Sequence, residues 1–131
     1  MREIKFRGKN IETGEWLYGN LQVPAKKGVP YCMWDKEKFQ CEVDPETIGE
    51  FTSLKDRNGN DIYEGDIIAF NWKSCDGVDI TDLLEVRFVR GVFAFLWDGD
   101  LDHEANIVSP THEWAVIIGN IHDNPELIKH S

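Results

Sequence analysis

Apolar and charged residues alternate at the start of the chain. Ile4 and Phe6 are apolar, whereas Lys5 and Arg7 are charged. This period of two predicts a half-buried strand over residues 2–8, with its charged side chains on the solvent face. The cations expected on or next to that face are Arg2, Lys5, Arg7 and Lys9.

A second strand is predicted after the turn-forming segment Glu12-Thr13-Gly14-Glu15. Trp16 and Tyr18 fall on one face of this strand, and Leu17 falls on the other. The short connection indicates that the first two strands pair antiparallel as a hairpin. The second strand should end before Pro24.

Strand-length segments with turn signals between them recur along the rest of the chain. The segments with the clearest β propensity are residues 47–54, 66–72, 83–89, 92–97 and 114–121. Phe93, Phe95 and Trp97 share one face of their segment and are expected to build the core of a central hairpin.

Between these segments, the dipeptide Asn58-Gly59 predicts a type I′ hairpin turn with positive φ. The charged residues 35–38 predict a turn between two short strands, and residues 73–82 predict a long loop. Asn124-Pro125-Glu126-Leu127 offers an N-cap, a proline at the first helical position and an acid in the first turn. This segment predicts one short helical turn near the C-terminus.

The recurring strands and the lack of any sustained 3.6-residue periodicity predict an all-β, or β-dominated, fold. With 131 residues, one domain covering residues 1–131 is expected. Gly65 and Gly91 could relieve the tight bends of a small barrel. The favoured architecture is a small SH3-like or partly open antiparallel barrel, with an additional N-terminal hairpin and the C-terminal helical turn. A two-sheet sandwich is the alternative.

Three blocks of sequence resemble the YopX family, a group of bacteriophage and prophage proteins. They are Ile4-Lys5-Phe6-Arg7-Gly8, the stretch of residues 54–69 with its Ile-Tyr-Glu-Gly-Asp segment, and residues 118–127, which read IGNIHDNPEL. The order and spacing of the blocks are similar to those of the family over nearly the whole chain. The resemblance implies a phage or prophage origin, a mostly β fold and no established activity, so it assigns no catalytic or binding residue.

The charge of the chain argues against nonspecific nucleic-acid binding. The 24 acidic residues exceed the 14 Lys and Arg residues, which gives a formal net charge of −10. Such a protein repels phosphate backbones and anionic lipid. No run of about 18 apolar residues could span a bilayer, and residues 1–5 do not resemble a signal peptide. A cytoplasmic protein with no membrane association is expected.

No motif for metal binding or catalysis stands out. Cys32, Cys41 and Cys75 are widely spaced and are expected to be reduced thiols. Residues 98–102 and 56–60 begin like calcium-binding loops but lack the required glycine and bidentate acid. The dispersed histidines, His103, His112, His122 and His130, have no zinc-ligand spacing. No metal, cofactor or catalytic residue is assigned.

Trp34 is the one candidate interface residue. It stands in an irregular, charged part of the sequence, and exposed tryptophans are enriched at binding hot spots. The sequence therefore favours a noncatalytic protein-binding module, an accessory protein of a phage or prophage, with a protein partner and with homo-oligomerisation left open. One alternative is a small metal-assisted or carboxylate-dependent hydrolase that uses the loop between His103 and His112. The other is an acidic mimic of nucleic acid that occupies a host DNA-binding protein.

Overall fold

The structure is a computed structural model that describes residues 4–34, 40–89, 92–97, 104–106 and 115–127. Contacts between Cα atoms divide the chain into two compact units, Met1–Phe51 and Thr52–Ser131. The described residues form strands and two short 3₁₀ helices, and none of their helices is long and apolar enough to cross a membrane.

Eleven strands follow one another along the described part of the chain. They are β1 (Phe6–Lys9), β2 (Trp16–Gln22), β3 (Cys32–Trp34), β4 (Gln40–Glu42), β5 (Gly49–Lys55), β6 (Asp61–Tyr63), β7 (Asp66–Lys73), β8 (Asp79–Val89), β9 (Val92–Trp97), β10 (Glu104–Asn106) and β11 (Ala115–Asn120). The 3₁₀ helices are Pro45–Thr47 and Pro125–Leu127. The second of these is the helical turn that the sequence predicts.

In the first unit the strands pair in the order β4-β3-β2-β1, and the beginning of β5 pairs with the other side of β1. β1 and β2 are antiparallel, with Lys9 opposite Trp16, so the predicted N-terminal hairpin is confirmed. β1 begins at Phe6, later than expected. β2 ends at Gln22, before Pro24 as predicted.

The core of the first unit lies on one face of these strands. Leu17, Met33 and Val43 are buried there. The partly buried side chains that pack against them are Phe6, Leu21, Tyr31, Cys41 and Ile48. Gly8 allows β1 to approach this core closely, because a Cβ atom there would lie 3.1 Å from Met33 Sδ.

In the second unit the rest of β5 pairs with β6, and five strands form a sheet in the order β10-β9-β8-β7-β11. The buried cluster here consists of Ile62, Ile68, Val86 and Ala115. Phe95 packs against this cluster, as its position on a regular strand predicts. The side chain of Trp97 lies outside the described part of the structure, so its expected role in the core stays a prediction.

The all-β class is confirmed, but the strands form two antiparallel sheets and not a closed barrel. The five-stranded sheet ends at β10 and β11, and the described residues of these two strands do not pair with each other. Gly65 has a φ of 94° in the turn between β6 and β7, which agrees with its predicted place at a tight bend. Gly91 lies outside the described residues.

The turn at Asn58-Gly59 exists, but the prediction of type I′ geometry is wrong. Only Gly59 has a positive φ, of 83°, and its N–H donates to the carbonyl oxygen of Asp56 at 3.0 Å. This is the pattern of a type I turn followed by a left-handed glycine, the usual three-residue hairpin connection. Asp56 Oδ1 holds the turn by accepting the N–H groups of Asn58 and Asn60 at 3.0 and 2.9 Å.

The predicted long loop over residues 73–82 is also wrong, because β7 and β8 continue into it. A tight turn built like the one at Asp56 joins them: the N–H of Gly77 donates to Ser74 O, and Gly77 has a φ of 80°. Ser74 Oγ accepts the N–H of Val78 at 3.2 Å. A serine side chain here takes the place that a carboxylate takes in the other turn.

Candidate functional site

The register of the first unit places cations beside aromatic rings. Arg7 on β1 lies opposite Tyr18 on β2, and Lys9 lies opposite Trp16. Residues that lie directly opposite each other in an antiparallel pair point to the same side of the sheet. All four side chains are therefore on the face that is opposite to the Leu17 core.

Trp34 belongs to the same face. It lies opposite Asn20, which is two residues beyond Tyr18 and so shares its side of β2. Trp34 and Tyr18 are 47% and 48% exposed, whereas the neighbouring Met33 is buried in the core. The exposure inferred for Trp34 from its sequence setting is thus observed, and its role at an interface is taken up below as a proposal.

Three cations lie over aromatic rings on this face. Lys5 Nζ is 4.5 Å from the centroid of the Phe51 ring. Arg7 Cζ and Lys9 Nζ are 4.6 and 5.3 Å from the Trp16 ring. All three distances are within the range of about 6 Å for a cation–π interaction. We refer to Lys5, Arg7, Lys9, Trp16, Tyr18, Trp34 and Phe51 together as the cation–aromatic face.

The prediction that Arg7 points freely to solvent is wrong. Arg7 is only 6% exposed, and its guanidinium lies on the Trp16 ring of the adjacent strand. An alternating pattern identifies the two faces of a strand, but it does not show that large aromatic residues of the next strand cover the polar face. The pairing of β1 with β2 brings Trp16 next to Arg7, and this contact cannot be read from the alternation within β1 alone.

Of the two segments that begin like calcium loops, residues 98–102 lie outside the described residues, and the Asp56 segment is structural. Asp56 is only 5% exposed. Its Oδ1 accepts the two turn N–H groups, and its Oδ2 accepts the N–H of Ile117 on β11 at 3.0 Å. The carboxylate is occupied by backbone donors, as the turn chemistry of the sequence suggests.

Two further segments of the sequence blocks that resemble the YopX family also form turns. Asp66 Oδ2 accepts the N–H of Tyr63 at 2.8 Å across the turn that contains Gly65. Asn120 Oδ1 accepts the N–H groups of His122 and Asp123 at 3.0 and 2.9 Å. The Tyr-Glu-Gly-Asp and Asn-Ile-His-Asp-Asn segments therefore shape the backbone of the second unit.

Glu85 is a buried acid that the sequence pattern does not predict. It is 1% exposed on β8, between Ile67 on β7 and Leu96 on β9, and it forms an ion pair with Arg87 Nε. The alternation along β8 assigns Glu85 and Arg87 to the face opposite Leu84 and Val86, where solvent would be expected. The burial of both faces of this strand has no signal in the local sequence.

The described residues contain no group of side chains suited to a metal ion. Nowhere among them do three His, Cys, Asp or Glu side chains group as a metal ion would require. His103, His112 and His130 lie outside these residues, together with most of the loop of the hydrolase alternative. Cys32, Cys41 and Cys75 are free thiols, as expected.

Comparison with known proteins agrees with the resemblance noted in the sequence. The family model for YopX protein matches residues 5–129. None of the curated proteins gives a significant match. Two solved structures are similar in fold, both at low sequence identity.

One is protein EF1440 from Enterococcus faecalis, with a TM-score of 0.62 and 21% identity over 98% of this chain and 100% of that one. The other is protein yopX from Bacillus subtilis, with a TM-score of 0.56 and 18% identity over 100% of this chain and 99% of that one. Identities this low show a shared fold alone. The family match covers nearly the whole sequence, and the chain therefore belongs to the YopX protein family.

Proposed function

We propose that this protein is a noncatalytic binding module that recognises a protein partner through the cation–aromatic face. The observation that carries the proposal is the exposure of Trp34 and Tyr18, at 47% and 48%, beside three cations on one sheet face. Aromatic residues and arginine are enriched at protein interfaces and among hot spots.

The exposed rings provide enough apolar area to contribute strongly to binding. A ring of this type buries roughly 150–250 Å² when it is fully covered. Since about half of each ring is still exposed, covering the rest removes about 100 Å² from water. At about 25 cal/mol per Å², this is worth about 2.5 kcal/mol for each ring. Two such anchors are typical of the few residues that dominate an interface.

The overall charge favours a protein partner over nucleic acid. A net charge of −10 repels a polyanion at long range, and three cations on one face do not reverse the sign of the field. We place this binding in the cytoplasm of a bacterial cell that carries the phage or prophage, on the strength of the family resemblance. The role is that of an accessory protein.

Affinity capture from a lysate of cells that carry the gene tests the proposal. The wild-type protein, Trp34→Ala and Phe88→Ala serve as baits, and captured proteins are identified by mass spectrometry. Phe88 is a suitable control because it is also an exposed aromatic, at 52%, but belongs to the second unit.

A protein retained by the wild type and by Phe88→Ala, but lost by Trp34→Ala, is the expected result. Equal capture of every protein by Trp34→Ala and the wild type would contradict the proposal. Circular dichroism of each bait shows that it is folded.

A further inference from the structure

We infer that Asn58 is a deamidation site that the turn around it keeps unreactive in the folded protein. Deamidation of this kind needs no enzyme, because the backbone nitrogen of the next residue attacks the side-chain amide and water completes the conversion to an acid. The inference goes beyond the proposed binding function, since it concerns a turn of the second unit and not the cation–aromatic face.

The sequence places a reactive pair of residues at this turn. Asn58 is the only asparagine of the chain that is followed by a glycine. Gly59 has no Cβ atom to hinder the approach of its nitrogen to the Asn58 side chain. The attack forms a bond between Gly59 N and Asn58 Cγ and breaks the bond between Cγ and Nδ2. A solvent base takes the proton of the Gly59 N–H, and Nδ2 gains a proton and leaves as ammonia.

Water then opens the five-membered ring at either of its two carbonyl carbons. Opening at Cγ leaves an aspartate at position 58. Opening at the backbone carbonyl carbon leaves an isoaspartate, in which the main chain runs through Cγ and is longer by one carbon. An isoaspartate therefore cannot restore a turn whose hydrogen bonds depend on the spacing of residues 56–60.

The conformation of the turn, and not its access to solvent, keeps the pair unreactive. Asn58 and Gly59 are both exposed, so water and base reach them. The third residue of a type I turn has a ψ of about 0°, which makes the Gly59 nitrogen eclipse the backbone nitrogen of Asn58. Ring closure requires the Gly59 nitrogen to eclipse Cβ instead. The proton that must be removed is also donated to Asp56 O, at 3.0 Å.

Asp56 holds the turn in this unreactive form. Its Oδ1 accepts the N–H groups of Asn58 and Asn60, which flank Gly59, and its Oδ2 accepts the N–H of Ile117. Hydrogen bonds to a carboxylate are stronger than those between neutral groups. A negative charge beside these N–H groups also opposes loss of the Gly59 proton, because a second negative charge would form close to it. Deamidation therefore proceeds from the open turn, and its rate follows the population of that state.

A second turn of the same build supplies a matched comparison. The N–H of Gly77 donates to Ser74 O at 2.9 Å, and Asp76 occupies the position that Asn58 has in the first turn. The side chain that holds this turn is a neutral hydroxyl, Ser74 Oγ, which accepts the N–H of Val78 at 3.2 Å. A neutral acceptor holds a turn less firmly than a carboxylate does. Asp76→Asn therefore places the same reactive pair in a turn of similar geometry and weaker support.

The full-length Asp76→Asn protein tests the inference, because both pairs are followed in one sample. The folded protein is incubated in mildly alkaline buffer, and deamidation is measured by mass spectrometry. Trypsin separates the pairs into residues 58–73 and 74–87, and a zero-time digest corrects for reaction during digestion. Position 76 is expected to deamidate at least about tenfold faster than Asn58 in the folded protein, and the two rates should agree within about twofold in urea.

Two further variants test the role of the Asp56 carboxylate. Asp56→Ser gives the first turn the type of support that Ser74 gives the second, and it should accelerate deamidation of Asn58 by about tenfold or more. The control is Gly119→Ala, which disturbs the same unit by placing a Cβ atom 2.5 Å from Asn124 Oδ1. Because it leaves the turn intact, it should accelerate the reaction by less than about threefold. Circular dichroism shows that each variant is folded.

Several results would overturn the inference. They are equal rates at positions 58 and 76 in the folded protein, equal acceleration by Asp56→Ser and Gly119→Ala, and an Asn58 rate in the folded wild type that equals the rate in urea. Absence of deamidation at Asn58 in urea would show that the residue is not a reactive site. None of these results affects the proposed binding function, which is tested with Trp34→Ala.

Discussion

The Asp56 carboxylate accepts the backbone N–H of Ile117, a residue 61 positions later in the chain, at 3.0 Å. The neighbouring N–H of Arg57 donates to the carbonyl oxygen of Ala115 at 2.9 Å. One side chain thus fixes the hairpin turn after β5 and also anchors strand β11. The link joins the central sequence block to strand β11, which runs into the C-terminal block.

Replacing Asp56 with Asn should destabilise the second unit. The Asn side chain can accept through only one oxygen, and its NH₂ group would face a backbone N–H. Loss of a buried charge-assisted hydrogen bond costs about 1–3 kcal/mol. Urea denaturation should show this loss for Asp56→Asn and a change of less than about 0.5 kcal/mol for Asp76→Asn, an exposed acid. Equal midpoints for the two variants would show that the link is not important for stability.

Substitutions in the same turn should distinguish the conformational roles of Asn58 and Gly59. Gly59→Val should cost about 1–3 kcal/mol, because a β-branched residue is strained at a φ of 83°. Asn58→Ala should cost less than about 0.5 kcal/mol, since Asn58 does not have a positive φ. A type I′ turn would instead make both changes costly. Thermal melts of the two variants therefore test the geometry of the turn.

Gly119→Ala should disturb the C-terminal turn. A Cβ atom at this position would lie 2.5 Å from Asn124 Oδ1, which accepts the N–H of Asn120. Either the cap or the strand must shift, at a cost of about 1–3 kcal/mol. The control is Gly28→Ala, which has no heavy atom within 4 Å of the added Cβ, so any cost there reports only its φ of 92°. A double variant with Asn124→Ala should recover part of the Gly119→Ala loss if the clash is its cause.

Stability measurements should distinguish the core from the cation–aromatic face. Phe95 packs against the buried cluster of the second unit, so Phe95→Ala should cost about 3–5 kcal/mol and could unfold the unit. Trp34→Ala should cost about 1 kcal/mol, because about half of the side chain is already in water. If Trp34→Ala melts as early as Phe95→Ala, Trp34 is a core residue and the binding proposal loses its anchor.

Local patterns predict the turns and strands of this chain, but they do not predict what covers each face. Alternation identifies the two sides of β1, and turn chemistry explains the positions of Asp56 and Asn124. The buried Arg7 lies on Trp16 of the next strand, and the buried Glu85 lies between Ile67 of β7 and Leu96 of β9. These contacts are set by register, which comes from the assembled sheet.

The candidate site, too, is only partly predictable from local sequence. The irregular and charged surroundings of Trp34 suggest that it is exposed, and its exposure is observed. The row formed by Lys5, Arg7 and Lys9 is visible in the sequence as an alternation. Its position beside Trp16 and Tyr18 becomes clear only from the pairing of β1 with β2. The net charge of the whole chain is strongly negative and therefore does not reveal this local row of cations.

The dissociation constant of the captured partner, measured by calorimetry for the wild type and for folded Trp34→Ala, tests the proposed binding role most directly. Truncation of a hot-spot tryptophan costs at least about 2 kcal/mol, so the dissociation constant should rise by about thirtyfold or more. The control, Phe88→Ala, should bind the partner as the wild type does. A dissociation constant for Trp34→Ala within about twofold of the wild-type value would contradict the assignment of the cation–aromatic face as the binding surface.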